Sequence, residues 1–214
     1  MENIKKNRTY IFYLIAALLI IFDQFTKLIV KGFDFGFVKH TGMRFGEAIN
    51  VIGTFVQFVY VENSGMAFGI TFGSGKLFLS IFSIIAGVGL IYYLFKLNGF
   101  SVWVRIGITL ILAGALGNAV DRVFYGTIFH EGPLFFGRVV DFIQVDIPDI
   151  KLGPLYYTHF PVFNVADSCV TCGVVLLLFF HKKIPSFEQV FRKNTQINST
   201  DIKDNELPTF DKSE

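Results

Sequence analysis

Four long apolar runs divide the chain, at residues 10–30, 77–97, 102–120 and 161–180. A membrane-crossing helix needs roughly 20 mostly apolar residues, and each run meets that length. The connection around Asn98 and Gly99 is so short that the second and third runs form a tight hairpin. Longer segments, 31–76 and 121–160, make the other connections; an even number of crossings puts both on one side and both termini on the other. Within them, NSG at 63–65 is turn chemistry. Val139, Val140, Phe142, Ile143 and Val145 favour a half-buried strand with Asp141 on its wet face. The polar stretch after Pro185 reads as a disordered cytoplasmic tail, so the expected organisation is a membrane unit of residues 1–184 and a tail of 185–214. The expected class is a mainly α membrane protein.

Composition agrees with that pattern. Of 214 residues, 52% are hydrophobic, 27 are Phe and only 17% are charged, richer in apolar side chains than a soluble domain. A net charge of +2, from basic residues scattered at run ends, argues against nucleic acid as a partner. The start of the chain has the basic-then-apolar form of a signal peptide, but no A-x-A-like site follows and the run continues past Asp23, which favours a retained first span. Cys169 and Cys172 lie about one helical turn apart inside the fourth run, without a second pair, and read as packing residues.

Basic residues orient the spans. Lys5, Lys6 and Arg8 precede the first, Lys96 and Arg105 flank the hairpin, and Lys182, Lys183, Arg192 and Lys193 follow the fourth. The positive-inside rule makes these ends cytoplasmic, against a weaker opposing set of Lys39, Arg44, Lys76, Arg138 and Lys151. Polar residues inside the spans then fall at one depth, near the outer leaflet: Asp23 and Lys27 in the first, Asn118, Asp121 and Arg122 ending the third, Asn164 and Asp167 starting the fourth. A charged side chain at the bilayer centre costs about 2.5–3.5 kcal/mol on insertion scales, so such residues persist where partners, water or function hold them. Asn118 and Asp121, Asn164 and Asp167, and Asp23 and Lys27 are spaced to share one helix face each. Gly114 and Gly117 allow close helix approach. Taken singly each pair has a plain explanation: Lys27 snorkelling beside Asp23, or Asp121 and Arg122 as a solvated pair at a helix end.

Other chemistries fail on spacing. HEGPL at 130–134 has Leu134 where a zinc-protease motif needs its second histidine, and GSGK at 73–76 lacks the flanking residues of a phosphate loop. The four histidines do not cluster, and no G-x-S-x-G turn is present. Carboxylate chemistry remains. Two aspartates held close share a proton, one acting as base on a water while the other donates to a carbonyl, with no metal or cofactor. Asp23, Asp121, Asp141 and Asp167 are the candidates, and spacing does not choose among them. The competing classes are a small ion- or proton-coupled transporter using the same carboxylates and a non-catalytic scaffold.

In order along the chain, DQFTK (23–27), NSGMAFG (63–69), GNAVDR (117–122), VVDF (139–142) and FNVADS (163–168) resemble the lipoprotein signal peptidases, the type II signal peptidases of bacteria. The resemblance implies an intramembrane aspartyl endopeptidase of the bacterial inner membrane that cuts diacylglyceryl-modified prolipoproteins just before the lipidated cysteine. It assigns the catalytic pair to Asp141 and Asp167. Asp23, Lys27, Asn63, Gly65, Asn118, Asp121, Arg122 and Asn164 match residues that support the site or bind substrate. It also implies four transmembrane helices, a small extracytoplasmic β-platform from the first long loop, membrane lipids as partners, no metal or cofactor, and a functional monomer. The chain departs from the family pattern at Ala113, where a first glycine is common, in an enlarged segment at 146–161, and in the tail beyond Pro185.

Overall fold

The apolar runs fold as helices in a computed structural model that describes residues 8–65, 75–152 and 155–191. The order is α1 (Thr9–Lys31), β1 (Phe33–Asp34), β2 (Lys39–His40), β3 (Ala48–Ile52), β4 (Val56–Asn63), α2 (Gly75–Lys96), α3 (Val102–Val120), a π-helical turn (Asp121–Tyr125), α4 (Gly126–Ile128), β5 (Val139–Leu152), β6 (Leu155–His159) and α5 (Val165–Phe179). Residues 66–69 of the NSGMAFG segment, Lys5, Lys6 and the tail from 192 onward lie outside the described residues. Thr9–Lys31, Lys76–Lys96 and Val102–Ile128 are each long and apolar enough to cross a membrane; α5 with the helix that follows it makes a fourth candidate, bent by 77°. Ile21, Phe25, Phe82, Ile85 and Val88 are each more than half exposed on α1 and α2. An apolar surface of that extent is solvated by lipid.

The central helix is α3, packed against α1, α2 and α5. Small residues permit this. A Cβ added at Gly114 would sit 2.2 Å from the Ala166 carbonyl oxygen, and one at Gly173 would sit 2.7 Å from that of Gly107, so α3 and α5 approach at backbone distance. The third span runs past its expected end at Val120, because the π-helical turn carries it on to Ile128. The fourth helix starts later than residue 161: residues 161–164 are extended, with Phe163 bridged to Ile143.

Two apolar clusters lie at either end of the bundle. Phe12, Ala16, Leu94, Leu97, Val104 and Leu112 form the larger. Val30, Tyr60, Tyr125, Val140 and Phe142 form the other, joining the helix ends to the sheet. Along α1 and α3 the polar residues of interest fall between them.

The platform is broader than the first loop alone. Its antiparallel sheet has the order β3-β4-β5-β6, drawing two strands from each long loop. The 146–161 segment forms most of the β5–β6 hairpin, with Ile150 opposite Tyr157 and Leu152 opposite Leu155. Between β4 and β5, Val61 pairs with Asp141 and Asn63 with Val139, so Asn63 is a diagonal neighbour of Asp141 on one face. The strand expected around Asp141 forms, but its wet face does not: Asp141 is 4% exposed, and Val140 and Phe142 are buried too.

The beginning of the polar tail is folded. The Ser186 N–H donates to Gln189 Oε1 at 2.9 Å and the Gln189 N–H to Ser186 Oγ at 3.3 Å, a reciprocal cap that starts a short helix through Phe191. Val190 is 2% exposed within the larger apolar cluster. The spacing Phe187, Val190, Phe191 supplies an apolar helix face that the surrounding polarity masks.

Candidate active site

Lys27 does not snorkel. Its ammonium is fully buried and aims its three N–H groups at three acceptors: Asp23 Oδ2 at 2.8 Å, Asp121 Oδ2 at 2.9 Å and Asn118 Oδ1 at 2.8 Å. An ammonium has three donors and no acceptor, so Lys27 is saturated. Asp121 is likewise no solvated partner of Arg122. It is fully buried, accepting from Gln24 Nε2 at 2.7 Å and the Val140 N–H at 3.2 Å as well as from Lys27. Asp23 Oδ1 accepts the Ala166 N–H at 2.8 Å in the first turn of α5. Its charge thus meets the positive end of that helix.

Asn164 and Asp167 are not side by side on a helix face; they cap the helix. The Asp167 N–H donates to Asn164 Oδ1 at 2.9 Å and the Asn164 N–H donates to Asp167 Oδ2 at 3.3 Å, a complete capping box. The box leaves the Asn164 amide free to turn to the sheet, where its Nδ2 donates to Asp141 Oδ1 at 2.7 Å. It also contacts Asn118 Oδ1 at 3.1 Å and the Val140 carbonyl at 3.2 Å. Asn118 in turn donates from Nδ2 to Asp167 Oδ1 at 2.8 Å. Each of Asp141 and Asp167 is therefore held by an asparagine amide, and the two amides bond each other. Loop closure from three spans and the sheet thus brings Asp23, Lys27, Asn118, Asp121, Asp141, Asn164 and Asp167 into one network.

Asn63 and Gly65 frame it from the platform. Gly65 takes a left-handed φ of 86° and its N–H donates to Asn63 Oδ1 at 2.9 Å, an Asx turn. Asn63 also hydrogen-bonds Asp141 through its side chain. An open groove of about 290 Å³, lined by Val61, Glu62, Asn63, Ser64, Asp141 and Val162, leads to that carboxyl. Burial, and next the charge of Asp167, push the Asp141 carboxyl up to about 7, against the opposing pull of Asn63, Lys27 and Asn164. Arg122 stands apart. Its Nη1 donates to Ser83 Oγ on α2 at 3.3 Å, and its side chain lines a narrow recess with Asn63, Gly65 and Lys76.

Several contributors lie outside the residues that the sequence marks as site candidates. Gln24 spans Asp121, the Gly117 carbonyl at 3.0 Å and Asp23 at 3.2 Å, and its Oε1 accepts from the Tyr125 hydroxyl at 3.0 Å. Lys31, one turn after Lys27, pairs with Glu62, and with Glu131 at 2.5 Å. The Tyr60 hydroxyl donates to Glu62 Oε1 at 2.5 Å, and Arg138 reaches Oε2 at 3.3 Å. Burial alone would raise the Glu62 carboxyl, but bonds from Lys31 and Tyr60 outweigh it and hold the group below its ordinary value. The one available hint was position: Gln24 follows Asp23, and Lys31 continues the face of Lys27.

Known proteins resemble this chain in sequence and in overall fold. The model of the signal peptidase (SPase) II family, Peptidase_A8, matches residues 15–182. A lipoprotein signal peptidase of Amoebophilus asiaticus (strain 5a2) is 35% identical over 216 residues, spanning 92% of this chain and 86% of that protein. One of Staphylococcus aureus (strain MRSA252) is 36% identical over 166 residues, spanning 77% and 83%. Among solved structures, a bacterial membrane enzyme determined by the in meso method at 1.9 Å superposes with a TM-score of 0.63 at 34% identity, over 85% of this chain and 98% of the other. A second, at 2.3 Å, gives a TM-score of 0.61 at 30% identity over 96% and 98%. With the family model matching residues 15–182 and relatives matched over 77–92% of it, the chain belongs to the signal peptidase II family and is a peptidase.

Proposed function

We propose that this peptidase removes signal peptides from lipid-modified prolipoproteins at the bacterial inner membrane, cutting before the lipidated cysteine with Asp141 and Asp167 as an aspartic pair. Family membership favours this over the ion-transport alternative. The observation that carries the reading is the shared scaffold of the two carboxyls: Asn164 holds Asp141, Asn118 holds Asp167, and the groove beside Asn63 opens onto Asp141.

The environments divide the roles. Asp141, with its carboxyl near 7, carries the proton at neutral pH in a large fraction of molecules. Asp167, held by the Asn118 amide in the first turn of α5, is left as the base. In the proposed cycle Asp167 takes a proton from water, whose oxygen adds to the scissile carbonyl carbon while Asp141 protonates the carbonyl oxygen. The resulting diol collapses: the C–N bond breaks, the nitrogen takes the proton from Asp167, and a diol hydroxyl returns one to Asp141. Lys27, Asp23, Asp121 and Gln24 hold the pair in place without touching substrate.

Both termini are assigned to the cytoplasm from the basic residues at span ends, which puts the site near the outer leaflet. Among the described residues, Asp141, Asp167 and the asparagines that hold them all come from one chain, in keeping with the monomer proposed as the functional form. The deciding experiment is cleavage of a lipidated prolipoprotein in proteoliposomes by Asp141→Asn and Asp167→Asn. Each is expected to lose cleavage while keeping its thermal transition; full activity in either folded variant refutes the pair.

A further inference from the structure

The end of the bundle away from the site is built differently. There α1 begins, α2 ends, α3 begins and α5 ends. Among the described residues at this end, five cations, Arg8, Lys96, Arg105, Lys182 and Lys183, stand against one carboxylate in charge balance, Glu188. Arg105 is 7% exposed, lies 4.0 Å over the Phe12 ring and donates to Thr9 Oγ1 at 3.0 Å; its Nε has no partner among the described residues. A buried guanidinium without a carboxylate leaves a positive field unneutralised.

Aromatic rings collect at the same level. Trp103 stacks on Phe180 with centroids 5.0 Å apart and planes 7° from parallel, and the Lys183 ammonium lies 5.2 Å over Phe180. Across the bundle, Lys96 lies 5.5 Å over Tyr92, and Tyr92 leads through Phe191 to Phe187. The helix from His181 to Phe191 turns 77° from α5, so it runs across the bundle axis instead of continuing along it, with Val190 anchored in the core and Phe187 exposed. Rings with cations beside them at the span ends, next to a helix lying crosswise, form the arrangement that seats in the headgroup region of a bilayer.

We infer that this face binds anionic phospholipid headgroups: the crosswise helix lies in the leaflet interface, and Lys182 and Lys183 at the Trp103–Phe180 stack gather negatively charged lipid around it. The excess of cations selects the anionic class over a zwitterionic one, since each lysine near a surface is worth about fivefold in local attraction. The face is remote from the carboxyl pair, so this inference stands apart from the catalytic reading.

Trp103 is the chain's one tryptophan and reports on the site directly. The full-length protein is placed in nanodiscs containing phosphatidylglycerol or phosphatidylcholine brominated near the glycerol, at equal mole fraction, and tryptophan quenching is compared. Phosphatidylglycerol is expected to quench several-fold more effectively, and Lys182→Ala with Lys183→Ala to bring the two lipids level while prolipoprotein cleavage persists. Equal quenching in the unmodified protein, or an undiminished preference in the double variant, overturns the inference. If the double variant does not fold, the unmodified protein at high salt decides: the preference must shrink as headgroup attraction is screened, and a salt-independent preference overturns the inference.

Discussion

Replacing Lys27 with Met removes one ammonium from between Asp23, Asp121 and Asn118 while nearly keeping its volume. At an effective dielectric of about 20, each ion pair, at 2.8 and 2.9 Å, is worth roughly 6 kcal/mol before desolvation. Most of that repays the cost of burying three charges. What the variant exposes is the remainder: two buried carboxylates left without their cation, and an Asn118 oxygen without one donor, together about 3–5 kcal/mol. For a chain of this length that lowers the thermal midpoint by about 6–20 °C. The assay is thermal unfolding of the purified protein in detergent, run as a cycle of Lys27→Met, Asp121→Asn and the double variant. The double variant is expected to recover part of the loss, because one orphaned charge is gone, giving a coupling of at least about 1 kcal/mol. A Lys27→Met midpoint within about 2 °C of the parent, or strictly additive single changes, would falsify the account of Lys27 as the charge that holds Asp23 and Asp121 together.

Cleavage should fall with rising pH along a limb centred near 7, as Asp141 loses the proton it donates; Asn63→Ala, which removes a bond favouring the carboxylate, should move that limb upward in a pH–kcat profile. The same group has a stability signature. Its folded value lies above the unfolded one of about 3.9, so its contribution is intact below pH ~4 and is lost as pH rises to about 7, a slope that Asp141→Asn should remove from pH-dependent unfolding curves. Gly65→Ala combines a left-handed φ with a Cβ 2.6 Å from Leu79 Cδ1; cleavage should drop tenfold or more, and Leu79→Ala, which relieves the clash but not the backbone, should restore only part of it. Gly114→Val drives side-chain atoms into the Ala166 carbonyl and should cost about 1–3 kcal/mol in unfolding along with most of the activity, since it wedges Asn118 away from Asp167.

Much of the site was legible because membrane burial makes polar residues conspicuous. In apolar runs, Asp23, Lys27, Asn118, Asp121, Asn164 and Asp167 stand out together even though each pair alone has a plain explanation, because topology puts them at one depth. What stayed hidden depends on contacts between distant segments. The N-x-x-D spacing of Asn164 and Asp167 fits both a shared helix face and a capping box, and only the bridge from Phe163 to Ile143, which ends the extended segment there, selects the box. The π-helical turn at Asp121 has no local signature. The hairpin at 146–161 was visible as extra length but not as strands, since its two halves pair with each other. The helix at 187–191 carries only a faint signal, three apolar residues amid polar ones, until the bundle supplies the cluster that Val190 and Phe191 pack against.

The capping box has a mechanical side. Asp167 Oδ2 accepts the N–H that begins α5, and Asp167 is also the group proposed to pick up a proton from water. A protonated carboxyl is a weaker acceptor and no longer complements the helix end. The first turn of the fourth span would therefore slacken when Asp167 is loaded and tighten when it discharges, in step with each bond cut. A reagent that is also a structural fastener ties the start of the fourth span to the protonation cycle of the site.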